Sequence, residues 1–166
     1  MTTIADFVAK FQHGARANLF RVDIPGRLSE DTKFFCKSAQ IPNKTVNKIE
    51  MRYLNNIIPV AGETATFQDW SVTVVNDVNY GIRTELERWM ESIKNNARTN
   101  GATNQSQYYG QAVVTQILQD GNDSNVAYDF YNIWPSDLST IELGFDSMDT
   151  VQEYTVTFVY THWERR

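Results

Sequence analysis

The stretch Phe67-Gln68-Asp69-Trp70-Ser71-Val72-Thr73-Val74-Val75-Asn76-Asp77 decides the fold class. Trp70, Val72 and Val74 fall on one side and Asp69, Ser71 and Thr73 on the other, the period of a strand whose apolar face meets a core. Asn76-Asp77 ends it, and the period then changes. Ile82, Leu86, Trp89, Met90 and Ile93 recur at helical spacing, while Arg83, Glu85, Glu87, Arg88, Glu91 and Lys94 line the opposite face.

Upstream, Phe20, Val22 and Ile24 alternate with Arg21 and Asp23 up to Pro25-Gly26, which predicts a strand. Phe34-Phe35-Cys36 predicts the core of a second, stopped near Ile41-Pro42-Asn43 because proline cannot donate to a ladder. Ile49, Met51 and Tyr53 then alternate with Glu50 and Arg52, and Ile57, Ile58 and Val60 follow Asn55-Asn56. That pattern predicts a long projecting hairpin over 44–60. At the beginning of the chain Ile4, Phe7, Val8 and Phe11 share one helical face, so 1–14 reads as a short helix or arm.

Downstream, 95–110 is rich in Asn, Gln, Ser, Thr and Gly and reads as an exposed loop. Val113 to Leu118 and Val126 to Ile133 predict a second hairpin, with Thr140 to Phe145 and Val151 to Trp163 as two more strands. In the last of these Tyr154, Val156, Phe158 and Tyr160 lie on the apolar face, together with Gln152 and His162. The sum is one mainly β domain over 1–166: a β-sandwich or barrel-like arrangement of about eight antiparallel strands with one main α-helix flanking the sheets. Trp70, Val72, Val74, Leu86, Trp89 and Phe158 are the core candidates.

Composition narrows the function classes. Hydrophobic residues at 42% and aromatics at 13% support an ordered core, and 166 residues suffice for one such core. No run approaches the roughly 20 apolar residues of a membrane-spanning helix, and Met1 to Asp6 lacks a signal-peptide layout, so a soluble protein made in the cytoplasm is expected, with no membrane partner. A single cysteine, Cys36, excludes an intramolecular disulfide and a multi-cysteine zinc site. A formal charge of -5 argues against a surface that grips phosphates, which depends on Lys and Arg releasing counterions.

Chemistry-bearing patterns are weak. Asp120, Asn122 and Ser124 imitate the start of a calcium loop, but Asn125 stands where glycine is required and Tyr131 where a bidentate glutamate is required. Cys36 with His13 or His162 offers the residue types of a nucleophile pair, yet Cys36 follows Phe34 and Phe35 and reads as a buried small hydrophobe. The carboxylate pairs Asp146 with Asp149 and Glu63 with Asp69 read as solvated surface groups. Trp70, Trp89, Trp134 and Trp163 sit in periodic apolar positions without interleaved basic residues, which favours packing over base stacking. No catalytic residue, metal site or cofactor is implied.

The ordered series Ala17-Asn18-Leu19-Phe20-Arg21-Val22, Phe35-Cys36-Lys37-Ser38-Ala39-Gln40-Ile41-Pro42, Val60-Ala61-Gly62-Glu63 and Phe67 to Asp77 resembles the tail tube proteins of T4-like contractile-tailed bacteriophages. The resemblance continues through the helix bearing Trp89, Trp134-Pro135, Phe145-Asp146 and Glu153-Tyr154-Thr155-Val156, and so covers nearly the whole chain from Ala15. It implies a non-enzymatic subunit of the virion tail that forms hexameric rings, stacks axially on itself, meets sheath and baseplate proteins, and leaves a channel through which viral DNA passes without sequence-specific binding. It also implies that the hairpin and the N-terminal segment make ring-to-ring contacts. Ile57, Ile58 and Val60 are the contact candidates, being more apolar than an exposed hairpin tip tolerates. Glu50, Arg52, Gln119 and Asp129 are the channel-lining candidates, as polar alternates of strands whose other face meets the core. Three alternatives stay open: a tube for protein cargo in a contractile injection device, including the haemolysin-coregulated proteins; the tube of a non-contractile tail; and a small β-sandwich enzyme.

Overall fold

The computed structural model describes residues 3–11, 14–96 and 101–166. Its elements are, in order, α1 (Ile4–Phe11), β1 (Phe20–Asp23), α2 (Thr32–Phe35), β2 (Cys36–Ala39), β3 (Thr45–Tyr53), β4 (Asn56–Thr66), β5 (Trp70–Val75), α3 (Gly81–Ile93), β6 (Gly110–Ile117), β7 (Asp123–Leu138), β8 (Glu153–Val159) and β9 (His162–Arg165). The fold is mainly β with one long helix against the sheets. His13, weighed as a partner for Cys36, and positions 97–100 of the polar loop lie outside the described residues.

The strands of the body run in the order β1-β6-β7-β8-β5-β2, all antiparallel, with β9 added to β7. The end strands β1 and β2 approach one another, so the sheet curls toward a barrel. Strand β7 makes this possible by serving two partners. Its first part pairs with β6 on one side and β9 on the other, and from Trp134 onward it pairs with β8. The corner falls at Asn132, whose φ of 55° bends the strand and whose amide donates to Thr161 Oγ1 at 3.1 Å. Thr161 is the matching corner between β8 and β9, its N–H bonded to Tyr131 O at 3.1 Å. Two adjacent strands therefore turn together, as a barrel corner requires.

Trp70, Val72 and Val74 of β5 interleave in the core with Tyr154, Val156 and Phe158 of β8, opposite Val22, Ala112, Val114 and Phe130. Trp70 stacks on Phe130 with ring centroids 4.5 Å apart and donates its indole N–H to Gln40 O at 2.8 Å, so its polar edge is satisfied while its rings are buried. Helix α3 closes an open side with Ile82, Leu86 and Trp89, all buried. Trp89 bonds Tyr108 O at 2.7 Å and lies under Arg27, and Gly110 makes that fit possible because a Cβ there would sit 3.1 Å from the indole. Asp77, three residues before the N-cap Tyr80, accepts from Gly81 N at 2.8 Å and so satisfies the first backbone donor of the helix.

Three expectations need correction. Phe34-Phe35-Cys36 is not a strand core: a one-turn helix, α2, occupies Thr32–Phe35 and the strand begins only at Cys36, because Ser29 and Thr32 organise a turn first, with Thr32 Oγ1 donating to Ser29 O at 2.9 Å. Thr140 to Phe145 pairs with no strand among the described residues. Val151 to Trp163 is two strands, since the corner at Thr161 hands the chain from β8 to β9.

Candidate assembly surfaces

Strands β3 and β4 form a two-stranded sheet of their own, joined to no other strand among the described residues. The ribbon leaves the body at Asn43, where Trp163 of β9 donates its indole N–H to Asn43 O at 3.1 Å and Gln68 N bonds Asn43 Oδ1 at 2.9 Å. Every residue of β3 is exposed, and so is every residue of β4 except Gly62. The register pairs Ile49 with Val60, Met51 with Ile58 and Tyr53 with Asn56, then Lys48 with Ala61, Glu50 with Pro59 and Arg52 with Ile57. Paired residues share a face. One face of the ribbon is accordingly apolar, built from Ile49, Met51, Tyr53, Ile58 and Val60, and the other carries Lys48, Glu50 and Arg52.

This register divides the sequence candidates. Ile58 and Val60 belong to the apolar face, whereas Ile57 lies on the opposite face beside Arg52. Glu50 and Arg52 share that polar face, and Glu50 pairs with Lys48 at 2.7 Å. The tip is a two-residue turn in which Leu54 adopts a φ of 53° and stands 87% exposed. Both features are costly for leucine in an isolated ribbon.

The remaining channel candidates lie elsewhere. Gln119 is in the turn after β6, not on the strand, and its amide faces the guanidinium of Arg16. The turn beyond it is held by Asp120, which accepts from Asn122 N at 3.0 Å, so the calcium-like oxygens are spent on turn geometry. Asp129 points to the polar face of the β1-β6-β7-β9 layer but is buried, not an open wall carboxylate: Arg166 bonds both of its oxygens at 2.7 and 3.0 Å. Sequence alternation marks Asp129 as a polar alternate and does not show the cover supplied by Arg166, the residue after β9. The same face holds Arg21 paired with Asp123 at 2.6 Å and Tyr131 stacked on His162 at 4.7 Å.

Two further apolar surfaces are unpartnered among the described residues. Helix α1 starts with a reciprocal cap in which Thr3 N bonds Asp6 Oδ2 at 2.9 Å and Asp6 N bonds Thr3 Oγ1 at 3.3 Å, and these bonds hold the Asp6 carboxyl below its ordinary range. Its stripe of Ile4, Phe7, Val8 and Phe11 is exposed throughout. The segment after β7 exposes Leu143, Phe145, Met148 and Val151. The alternation of Thr140 to Phe145 predicts strand residues at Leu143 and Phe145, and nothing in the sequence marks this patch as a surface.

Catalytic geometry is not what these residues form. A cleft of about 610 Å³ runs between α3 and the end of β7, lined by Met90, Ile93, Trp134 and Leu138, but its carboxylates Glu87 and Glu91 lie on the solvent side of the helix and Glu87 is engaged by Arg83 at 3.0 Å. Cys36 bonds Ser38 O at 3.6 Å, and burial pushes its thiol up to about 12, the opposite of an activated nucleophile.

The chain is 30% identical over 163 residues to the tail tube protein gp19 of Enterobacteria phage T4, covering 97% of this chain and 99% of that protein. Among solved structures it superposes with a TM-score of 0.65 on a chain of the sheath-tube complex of an extracellular contractile injection system (PVC) in the extended state, at 16% identity over 100% of this chain and 99% of the other. It superposes with a TM-score of 0.66 on a chain of the anti-feeding prophage tube-terminating cap, again at 16% identity with 100% and 99% coverage. The model of the family described as phage tail tube protein matches residues 5–166, and the chain therefore belongs to the phage tail tube protein family.

Proposed function

We propose that this chain is the repeating structural subunit of a contractile phage tail tube, in which hexameric rings stack axially inside a sheath and leave a channel for DNA. The observation that carries the reading is the hairpin: a ribbon projecting from the body with one apolar and one polar face, neither covered by any of the described residues. A two-stranded ribbon is marginal in water by itself. Covering the Ile49, Met51, Tyr53, Ile58 and Val60 face in the assembly supplies burial at roughly 25 cal/mol per Å².

In this arrangement the apolar face packs against a neighbouring copy, in the ring-to-ring role assigned to Ile58 and Val60, while Glu50 and Arg52 turn toward the channel. The polar face of the β1-β6-β7-β9 layer continues the wall, and the ion pairs of Asp129 with Arg166 and Arg21 with Asp123 leave it few unpaired cations to hold phosphate. The likeness to contractile injection tubes supports the same architecture with protein cargo as a second reading. DNA cargo is favoured by the full-length similarity to a phage tail tube protein.

Negative-stain electron microscopy across a concentration series, with sizing chromatography alongside, tests the reading. Six-fold rings or hollow tubes are expected. A protein that stays monomeric at every concentration, and also when purified baseplate is added, contradicts it.

A further inference from the structure

Thr140 to Phe145 has the sequence of a strand and no partner strand among the described residues. Ile141, Leu143 and Phe145 alternate with Thr140, Glu142 and Gly144, and Ile141 still touches the core, yet beyond it Leu143 and Phe145 project into solvent, with Phe145 as exposed as in an extended chain. The β3–β4 ribbon presents the converse situation: formed strands, open edges and an uncovered apolar face. One of its edges is blunted. Pro59 has no N–H, so its pair with Glu50 is one that exchanges no hydrogen bonds, and the missing donor lies on the outer edge of β4. By alternation the backbone groups of Lys48, Glu50 and Arg52 point outward from β3, which leaves β3 as the edge able to receive a strand.

We propose that Thr140–Phe145 of one copy adds as a third strand to the β3 edge of a second copy, placing Ile141, Leu143 and Phe145 on the apolar face beside Ile49, Met51 and Tyr53. Charge favours the pairing. The hairpin over 44–60 carries Lys44, Lys48 and Arg52 against Glu50 alone, whereas 139–152 carries Glu142, Asp146 and Asp149 and no basic residue. A head-to-tail contact needs two different, complementary patches on every chain, and these are such a pair. Helix α1 is a poorer occupant, because its backbone is bonded internally and offers no edge. The inference rests on the reading that the hairpin makes contact between copies.

Hydrogen–deuterium exchange on the unmodified full chain, comparing protomer with assembled tube, tests it. Amides of 141–145 and those of Glu50 and Arg52 are expected to lose their fast exchange together on assembly. Cysteine pairing gives an independent readout: in a Cys36→Ser background, Met51→Cys and Leu143→Cys proteins mixed before assembly are expected to give an interchain disulfide on oxidation, and a scan of 49, 51 and 53 against 141, 143 and 145 allows for register. Tubes in which the hairpin becomes protected while 141–145 exchanges as in the protomer, with no disulfide at any scanned pair, overturn this proposal and leave the hairpin contact standing. Protection of the hairpin together with 4–11 and not 141–145 overturns it in favour of α1. Tubes in which the hairpin itself stays unprotected overturn both readings.

Discussion

The carboxylate of Asp129 accepts from Arg166 Nε at 2.7 Å and from a terminal guanidinium nitrogen at 3.0 Å, a two-point clamp that ties β9 to β7. The clamp sits where the register also places Glu164 beside Asp129, so without Arg166 two carboxylates face each other across the pair. Because the guanidinium is 69% exposed, solvent weakens the interaction, and Arg166→Ala is expected to cost about 1 kcal/mol in urea denaturation. In an Asp129→Asn background the same substitution is expected to cost markedly less. Equal costs in both backgrounds would show that the pair is not coupled.

Gly62 sits at the bulge where the hairpin register shifts, and a Cβ built there lies 2.7 Å from Asn47 O, a backbone atom that cannot swing away. Gly62→Ala is therefore expected to distort the ribbon without touching the body. The expected pattern is an unchanged thermal midpoint for the body with lost or misdirected tube assembly in electron micrographs. Normal tubes from this variant would remove the hairpin geometry from the assembly mechanism.

Trp70 stacks on Phe130 at 4.5 Å and lies 5.5 Å from Phe158 in a fully enclosed position. Trp70→Ala removes that volume and leaves Gln40 O without its indole donor, so a loss of about 3–5 kcal/mol is expected. Against a typical total of about 5–15 kcal/mol the variant is expected to be largely insoluble, as solubility and calorimetry will show.

Alkaline pH should loosen the fold. Burial raises the Cys36 thiol to about 12 and the Tyr154 phenol to about 12, from ordinary values of 9.0 and 10.0. Both groups prefer the protonated form in the folded chain, so their contribution is intact below pH 9.0 and declines as the pH rises toward about 12, while the unfolded chain loses its protons first. Denaturation midpoints measured from neutral pH to about 12 are expected to fall across that window. Cys36→Ala is expected to flatten the early part of the decline and leave the later part to Tyr154.

The elements legible in the sequence were those whose period is one-sided within a single segment. Trp70 to Val75, the α3 stripe and Tyr154 to Phe158 each declare a buried face because alternation alone separates core from solvent. Thr140 to Phe145 has the same alternation and no ladder, since period records which face is apolar and not whether a partner strand is present. The run of Ile57, Ile58 and Val60 hid a division that only cross-strand register exposes: Ile58 and Val60 share a face, and Ile57 does not. Asp129 shows the same limit for electrostatics, because its alternation marks a polar face but its cation, Arg166, follows directly on a strand that reaches β7 only after the corner at Thr161.

The most direct measurement is a cryo-electron microscopy reconstruction of assembled tubes at side-chain detail. A hexameric ring in which Ile58 and Val60 are covered by a neighbouring copy while Glu50 and Arg52 border the channel is the expected result. A tube whose hairpins lie uncovered on its outer surface, or with the Lys48, Glu50 and Arg52 face packed against another copy and the apolar face toward the channel, would contradict it.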